Sequence, residues 1–155
     1  KPAPESYATL TYFGVNTFKF TNAKGDATFG RYQLQPMAGE HFLTKEQLAT
    51  MGPDYLTTEI IQRVRRGPVN FKLLLQLAAQ GDKIDDPSIA WPNTRKKVVL
   101  GTIAITKAVA DSQTAEKSLL FMPGTLIAGI EAADPMIAAR SAAYTISAAR
   151  RAKAQ

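Results

Sequence analysis

The stretch TYFGVNTFKFTNAKGDATFGRYQLQP, from Thr11 to Pro36, limits the possible folds more than any other part of the chain. Val15, Thr17 and Lys19 alternate with Asn16, Phe18 and Phe20, a period of two that suits a strand and not a helix. The turn chemistry of NAKGD follows, and a second strand then returns beside the first. The chain therefore builds around an antiparallel hairpin.

Downstream, Thr44 and Gln47 form a capping box ahead of a short helix over KEQLATM. Gly52 and Pro53 interrupt, and DYLTTEIIQRVRRG predicts a second helix with Leu56, Ile60, Ile61 and Val64 on one face. VNFKLLLQLAA fits either strand or helix, whereas the β-branched alternation of KKVVLGTIAITKAV predicts a strand. The loop QGDKIDDPSIAWPN between them holds the only tryptophan, Trp91. A modest helix is expected between Ala110 and Leu120, followed by an irregular approach, FMPGTLIAGIEAAD. Asp134 and Pro135 are an N-cap and a first-turn proline, which predict a helix over about 135–153. The sum is an α+β chain with a mostly antiparallel sheet of about four strands. A closed barrel generally takes about eight, so a barrel containing this sheet would need strands from elsewhere.

With 155 residues, 45% of them hydrophobic and 21% charged, the chain is expected to form one soluble domain over 1–155. No window approaches the roughly 18 apolar residues of a membrane span, and KPAPESYATL carries no apolar signal core. The absence of cysteine excludes disulfides and thiolate chemistry. A net charge of +6 favours anionic partners, but the basic clusters RVRRG, TRKKV and ARRAK lack the interleaved aromatics that stack bases, so nucleic acid is not the expected partner.

The last helix is unusual. ARSAAYTISAARR sets one aromatic residue, Tyr144, among alanines, serines and arginines, where a core-packing helix would carry Leu, Ile or Phe. Arg140 and Arg151, four residues before and seven after, share its face, and the flanking alanines keep that surface low enough for a broad planar group. A guanidinium against a phenol oxygen favours the phenolate, and a phenolate suits ferric iron; tyrosine is one of the few axial ligands of haem. On spacing alone, R-x-x-x-Y is a weak motif that more often describes a half-buried tyrosine packed with cation contacts.

Longer stretches widen the basis. YFGVNTFKFTNAKGDATFGRYQLQPMAGE, DDPSIAWP and LLFMPGTLIAGIEAADPMIAARSAAY, in this order, resemble the haem catalase family, above all its short branch of catalase-related peroxidases. The resemblance implies a catalase-like antiparallel barrel fold with flanking helices, of which this chain is the C-terminal half. It also implies breakdown of hydrogen peroxide or organic peroxides at haem, with Tyr144 as the iron's axial ligand and Arg140 as its partner. Arg151 falls where the family binds a haem propionate, although TISAAR departs from the family pattern there. Pro123, Met136 and Ile137 fall where the pocket is lined, with turn and core packing as the plainer alternative, and Trp91 and Pro92 match a structural landmark.

In the family, a histidine and an asparagine on the opposite side of haem handle the peroxide, and they belong to an N-terminal half. The single histidine here, His41 in GEHFL, does not sit where that residue is placed and reads as a solvated or capping side chain. Peroxide, an electron donor of unspecified kind, and either the N-terminal half or a second copy of this chain are therefore the expected partners, with this chain inactive alone. The alternative is a non-catalytic half that binds haem or another apolar ligand. A related fold acting on lipid hydroperoxides is a third possibility.

Overall fold

The structure is a computed structural model that describes residues 2–153; of the expected domain over 1–155, residues 1, 154 and 155 lie outside the described residues. The hairpin forms where the alternation places it. Strand β2 (Phe18–Thr21) pairs antiparallel with β3 (Ala27–Pro36), in register from Phe18 opposite Gly30 to Thr21 opposite Ala27. The turn is held by the Asn22 carboxamide oxygen, which accepts the Lys24 and Asp26 N–H groups, each at 2.9 Å. Gly25 adopts a φ of +87°, in the left-handed region that side chains disfavour.

The segment VNFKLLLQL resolves as strand β4 (Val69–Leu77) and the later alternating segment as β5 (Lys97–Ile105). These are the four expected strands. Two short ones join them: β1 (Tyr12–Phe13), which pairs with Leu34 and Gln33 of β3, and β6 (Ile130–Ala132), which pairs with β2. At two and three residues, neither is long enough to show a period. The strand order is β5-β4-β3-β2-β6, and the sheet is open. Its β5 end exposes apolar side chains on both faces, Val99 at 65% and Leu100 at 48%.

Two compact units can be distinguished along the interleaved chain. The first comprises the described parts of Lys1–Phe13, Gln33–Leu74 and Val99–Ala108. Its core is Ala8, Val64, Val69 and Phe71, with Leu34 and Ile60 packed against them. Helix α1 (Lys45–Ala49) starts with the reciprocal Thr44–Gln47 capping box, and α2 (Tyr55–Arg66) turns Val64 inward with Leu56, Ile60 and Ile61 half-buried, as the spacing predicts.

The second unit comprises Gly14–Tyr32, Leu75–Val98 and the described part of Val109–Gln155. It holds an aromatic cluster of Phe18, Phe20 and Tyr32 and two helices, α3 (Ser112–Ser118) and α4 (Met136–Lys153), which pack together. Trp91 is buried in it beneath the Arg31 guanidinium, 4.2 Å from the ring centroid, and donates its indole N–H to the Lys83 carbonyl. Arg31, only 4% exposed, donates N–H groups to Thr17 Oγ1 and the carbonyls of Ile89, Lys83 and Asp86. Burial lowers the Arg31 pKa, against the pull of Asp134, Asp82 and Asp86. These bonds account for Trp91 and its loop as structure.

Candidate functional site

The site grows from the junction of β6 and α4. Asp134 ends the β6 approach, and its carboxylate accepts the Met136 N–H at 3.0 Å, as an N-cap does. It also accepts the Thr17 N–H at 2.7 Å and the Asn16 amide nitrogen at 2.9 and 3.2 Å. The Ala133 N–H donates to the Thr17 carbonyl at 3.0 Å, which continues the β2–β6 pairing and brings the start of α4 beside Asn16.

With its nitrogen toward a carboxylate, the buried Asn16 side chain can only point its oxygen the other way, and there it accepts Nη1 of Arg140 in a short hydrogen bond. Arg140 donates Nε and Nη2 to the Tyr144 phenol oxygen at 3.1 and 2.8 Å. The four-residue helical spacing makes that reach possible. Asp134, Asn16, Arg140 and Tyr144 thus form one continuous hydrogen-bonded series, from a buried carboxylate to a phenol.

Arg140 and Tyr144 line an open cleft of about 910 Å³. Leu119, Leu120, Phe121, Met122 and Pro123 give it an apolar wall, and Glu116, Ser147 and Arg151 add polar groups. Arg151 donates Nη1 to Ser147 Oγ at 3.1 Å and Nη2 to the Leu119 carbonyl at 2.8 Å. The expected residues Arg140, Tyr144, Arg151 and Pro123 therefore converge on one cleft. Ile137, 1% exposed, lies in the interior, Met136 is 47% exposed, and neither lines the cleft. His41 is exposed, with Nε2 3.0 Å from the Ala38 carbonyl, and it too is outside the lining. Along α4 the alanines 138, 139, 142, 143 and 149 are exposed, leaving the low surface open.

Sequence reasoning missed Asn16 and treated Asp134 only as a helix cap. A signal for Asn16 was available: the period-two alternation puts it in step with Phe18 and Phe20, and a polar side chain on the apolar side of such a pattern needs a buried partner.

Fold and site together define an α+β chain that presents a guanidinium-bound phenol to an apolar-walled cleft. The Catalase family profile matches residues 1–155, and the chain belongs to that family. It is 35% identical over 149 residues to a catalase-related peroxidase of Synechococcus elongatus, covering 96% of this chain and 44% of that protein. It is 37% identical over 145 residues to one of Mycolicibacterium paratuberculosis, covering 93% and 46%. Among solved structures, catalase A from Saccharomyces cerevisiae shares the fold with a TM-score of 0.83 at 21% identity, over 96% of this chain and 33% of that one. The chain thus spans a little under half the length of these peroxidase relatives.

Proposed function

We propose that this chain provides the tyrosine side of a haem site in a protein that breaks down hydrogen peroxide or organic peroxides, as the names of its relatives suggest. The observation that carries the proposal is the Tyr144 oxygen, which accepts two guanidinium N–H groups at the edge of an apolar-walled cleft. The donor set fits the group: a hard oxygen beside a fixed positive charge suits ferric iron, and a cleft of about 910 Å³ is within the range of cofactor sites. When bound, haem would supply the redox-active iron at which a peroxide bond is broken.

The chain's own residues have definite parts in this reading. Tyr144 offers the ligating oxygen. Arg140 compensates the negative charge that a ligating phenolate carries, and its position is fixed because Asn16, itself held by Asp134, accepts from its other side. Arg151, at the cleft with a guanidinium that also ties α4 to Leu119, is placed to meet a carboxylate of the ligand. Pro123 contributes apolar wall, while Ile137 and Met136, outside the lining, are better explained by packing and by surface placement.

Moving a proton between peroxide oxygens calls for a base near neutrality, and the only histidine of the 155 residues is outside the cleft lining. The complete protein therefore draws that base, and the strands that cover the β5 edge, from outside residues 1–155 or from a second copy. The same observation favours a second reading, in which this chain holds haem or another apolar ligand without turnover. Hemin titration followed by visible spectroscopy tests the ligand: Tyr144→Phe should alter the spectrum, and a spectrum identical to wild type removes Tyr144 as ligand. Peroxidase assays with and without the remainder of the protein separate the two readings, since activity restored by that remainder supports the enzyme and none in either state supports the binding role.

A further inference from the structure

Ser141 stands between Arg140 and Tyr144 in sequence, yet it takes no part in their hydrogen bonds. Its hydroxyl donates to the Ile137 carbonyl at 2.9 Å and accepts the Gly124 N–H at 3.2 Å. One end of this link is deep, since Ile137 is 1% exposed. The other end is the Met122–Thr125 turn, closed by the Thr125 N–H on the Met122 carbonyl at 3.1 Å. Met122, Pro123 and Thr125, on both sides of Gly124, line the same cleft as Tyr144. A Cβ on Gly124 would stand 2.8 Å from Ser141 Oγ and 3.7 Å from Ser141 Cβ, so the turn's backbone lies directly on the helix at this point.

We propose that Ser141 is a positioning residue: by holding the Met122–Thr125 turn to α4 through the Gly124 N–H, it sets the width of the cleft that the Tyr144 ligand enters. The proposal rests on the reading of haem as that ligand. Without the hydroxyl, the Gly124 N–H loses its protein acceptor and the wall moves away from the helix. With a side chain at position 124, the wall is pushed off by contact. The two changes act on one gap, so their effects must couple.

The test is a hemin titration of the full-length protein, read as affinity and as the position of the Soret band, with the thermal melt of the haem-free protein as a fold control. Ser141→Ala should weaken hemin binding about five-fold, the size of one lost hydrogen bond, and shift the band, while Ser141→Thr should restore both. Gly124→Ala should weaken binding in the wild-type background and less so beside Ser141→Ala, where the 2.8 Å contact is gone. Additive effects, or wild-type affinity and spectrum in Ser141→Ala, overturn the proposal. Should Ser141→Ala not fold, wild-type binding by Gly124→Ala overturns it equally. The Tyr144→Phe control keeps the two failures apart: an unchanged spectrum there defeats the haem reading, whereas a changed one beside an unchanged Ser141→Ala defeats only the role of Ser141.

Discussion

Arg140 gives two N–H groups, Nε at 3.1 Å and Nη2 at 2.8 Å, to a single acceptor, the phenol oxygen of Tyr144. Its third contact, Nη1, is on Asn16, so the planar fork spans two residues that are 128 positions apart in the chain. A lysine carries the same charge at one point and cannot span them. Arg140→Lys should therefore shift the visible spectrum of hemin-loaded protein and weaken hemin binding about ten-fold, comparable to losing a charge-assisted hydrogen bond. Unchanged spectrum and affinity would show that charge alone suffices.

Asn16 joins two groups that do not otherwise touch through hydrogen bonds in this series. Asn16→Ala removes the amide donor from Asp134 and the acceptor from Arg140 Nη1. The expected loss is about 1–3 kcal/mol of stability, because buried polar groups are left without partners. Chemical denaturation measures it, and a midpoint equal to wild type contradicts it.

Arg31 and Trp91 allow a spectroscopic test of the loop from Lys83 to Trp91. Arg31→Met leaves the carbonyls of Ile89, Lys83 and Asp86 without their guanidinium donors. The protein should lose roughly 2–4 kcal/mol. Because Trp91 is the only tryptophan, its fluorescence reports the same event, with emission moving to longer wavelength as the ring gains water.

Asp82 predicts an acid dependence. Arg95 donates Nε and Nη2 to its two oxygens at 2.9 and 2.8 Å, and these bonds, with the Ala79 N–H, hold the Asp82 pKa below its ordinary value of 3.8. A carboxyl with a lowered folded pKa contributes stability that is complete above that ordinary value and is lost as pH falls through the folded one. Asp82→Asn should therefore be less stable than wild type at pH ~6, with the gap narrowing as pH falls below that ordinary value. Thermal melts across a descending pH series decide it; a constant gap excludes the linkage.

The β5 edge predicts association. Val99, Leu100, Ile103 and Ile105 are exposed on an end strand, an arrangement that proteins pair or cover. Residues 1–155 on their own should self-associate at micromolar concentration in sedimentation, and Val99→Lys with Ile103→Lys should reduce it. A well-folded wild-type monomer would count against the need for covering strands.

Much of this architecture can be read along the chain, because the relevant signals are local. The alternation before NAKGD specifies β2 and β3, Thr44 with Gln47 starts α1, and Asp134–Pro135 starts the last helix within one residue of its observed beginning at Met136. The Arg140–Tyr144 pair follows from helical periodicity in the same way. Strand β6 is different: three residues after a Gly- and Pro-containing approach have no period of their own and become a strand only because β2 offers them an edge.

By itself, then, the order of residues determined the local elements and put a guanidinium one helical turn from a phenol. Only the tertiary structure decided what stands behind that guanidinium, because Asn16 and Asp134 meet through the β2–β6 pairing across 118 residues, and no short-range pattern records such a meeting. It likewise decided that Pro123 and Arg151, but not Met136 or Ile137, face the cleft, since a side chain's direction depends on how its element packs as well as on its place in the sequence.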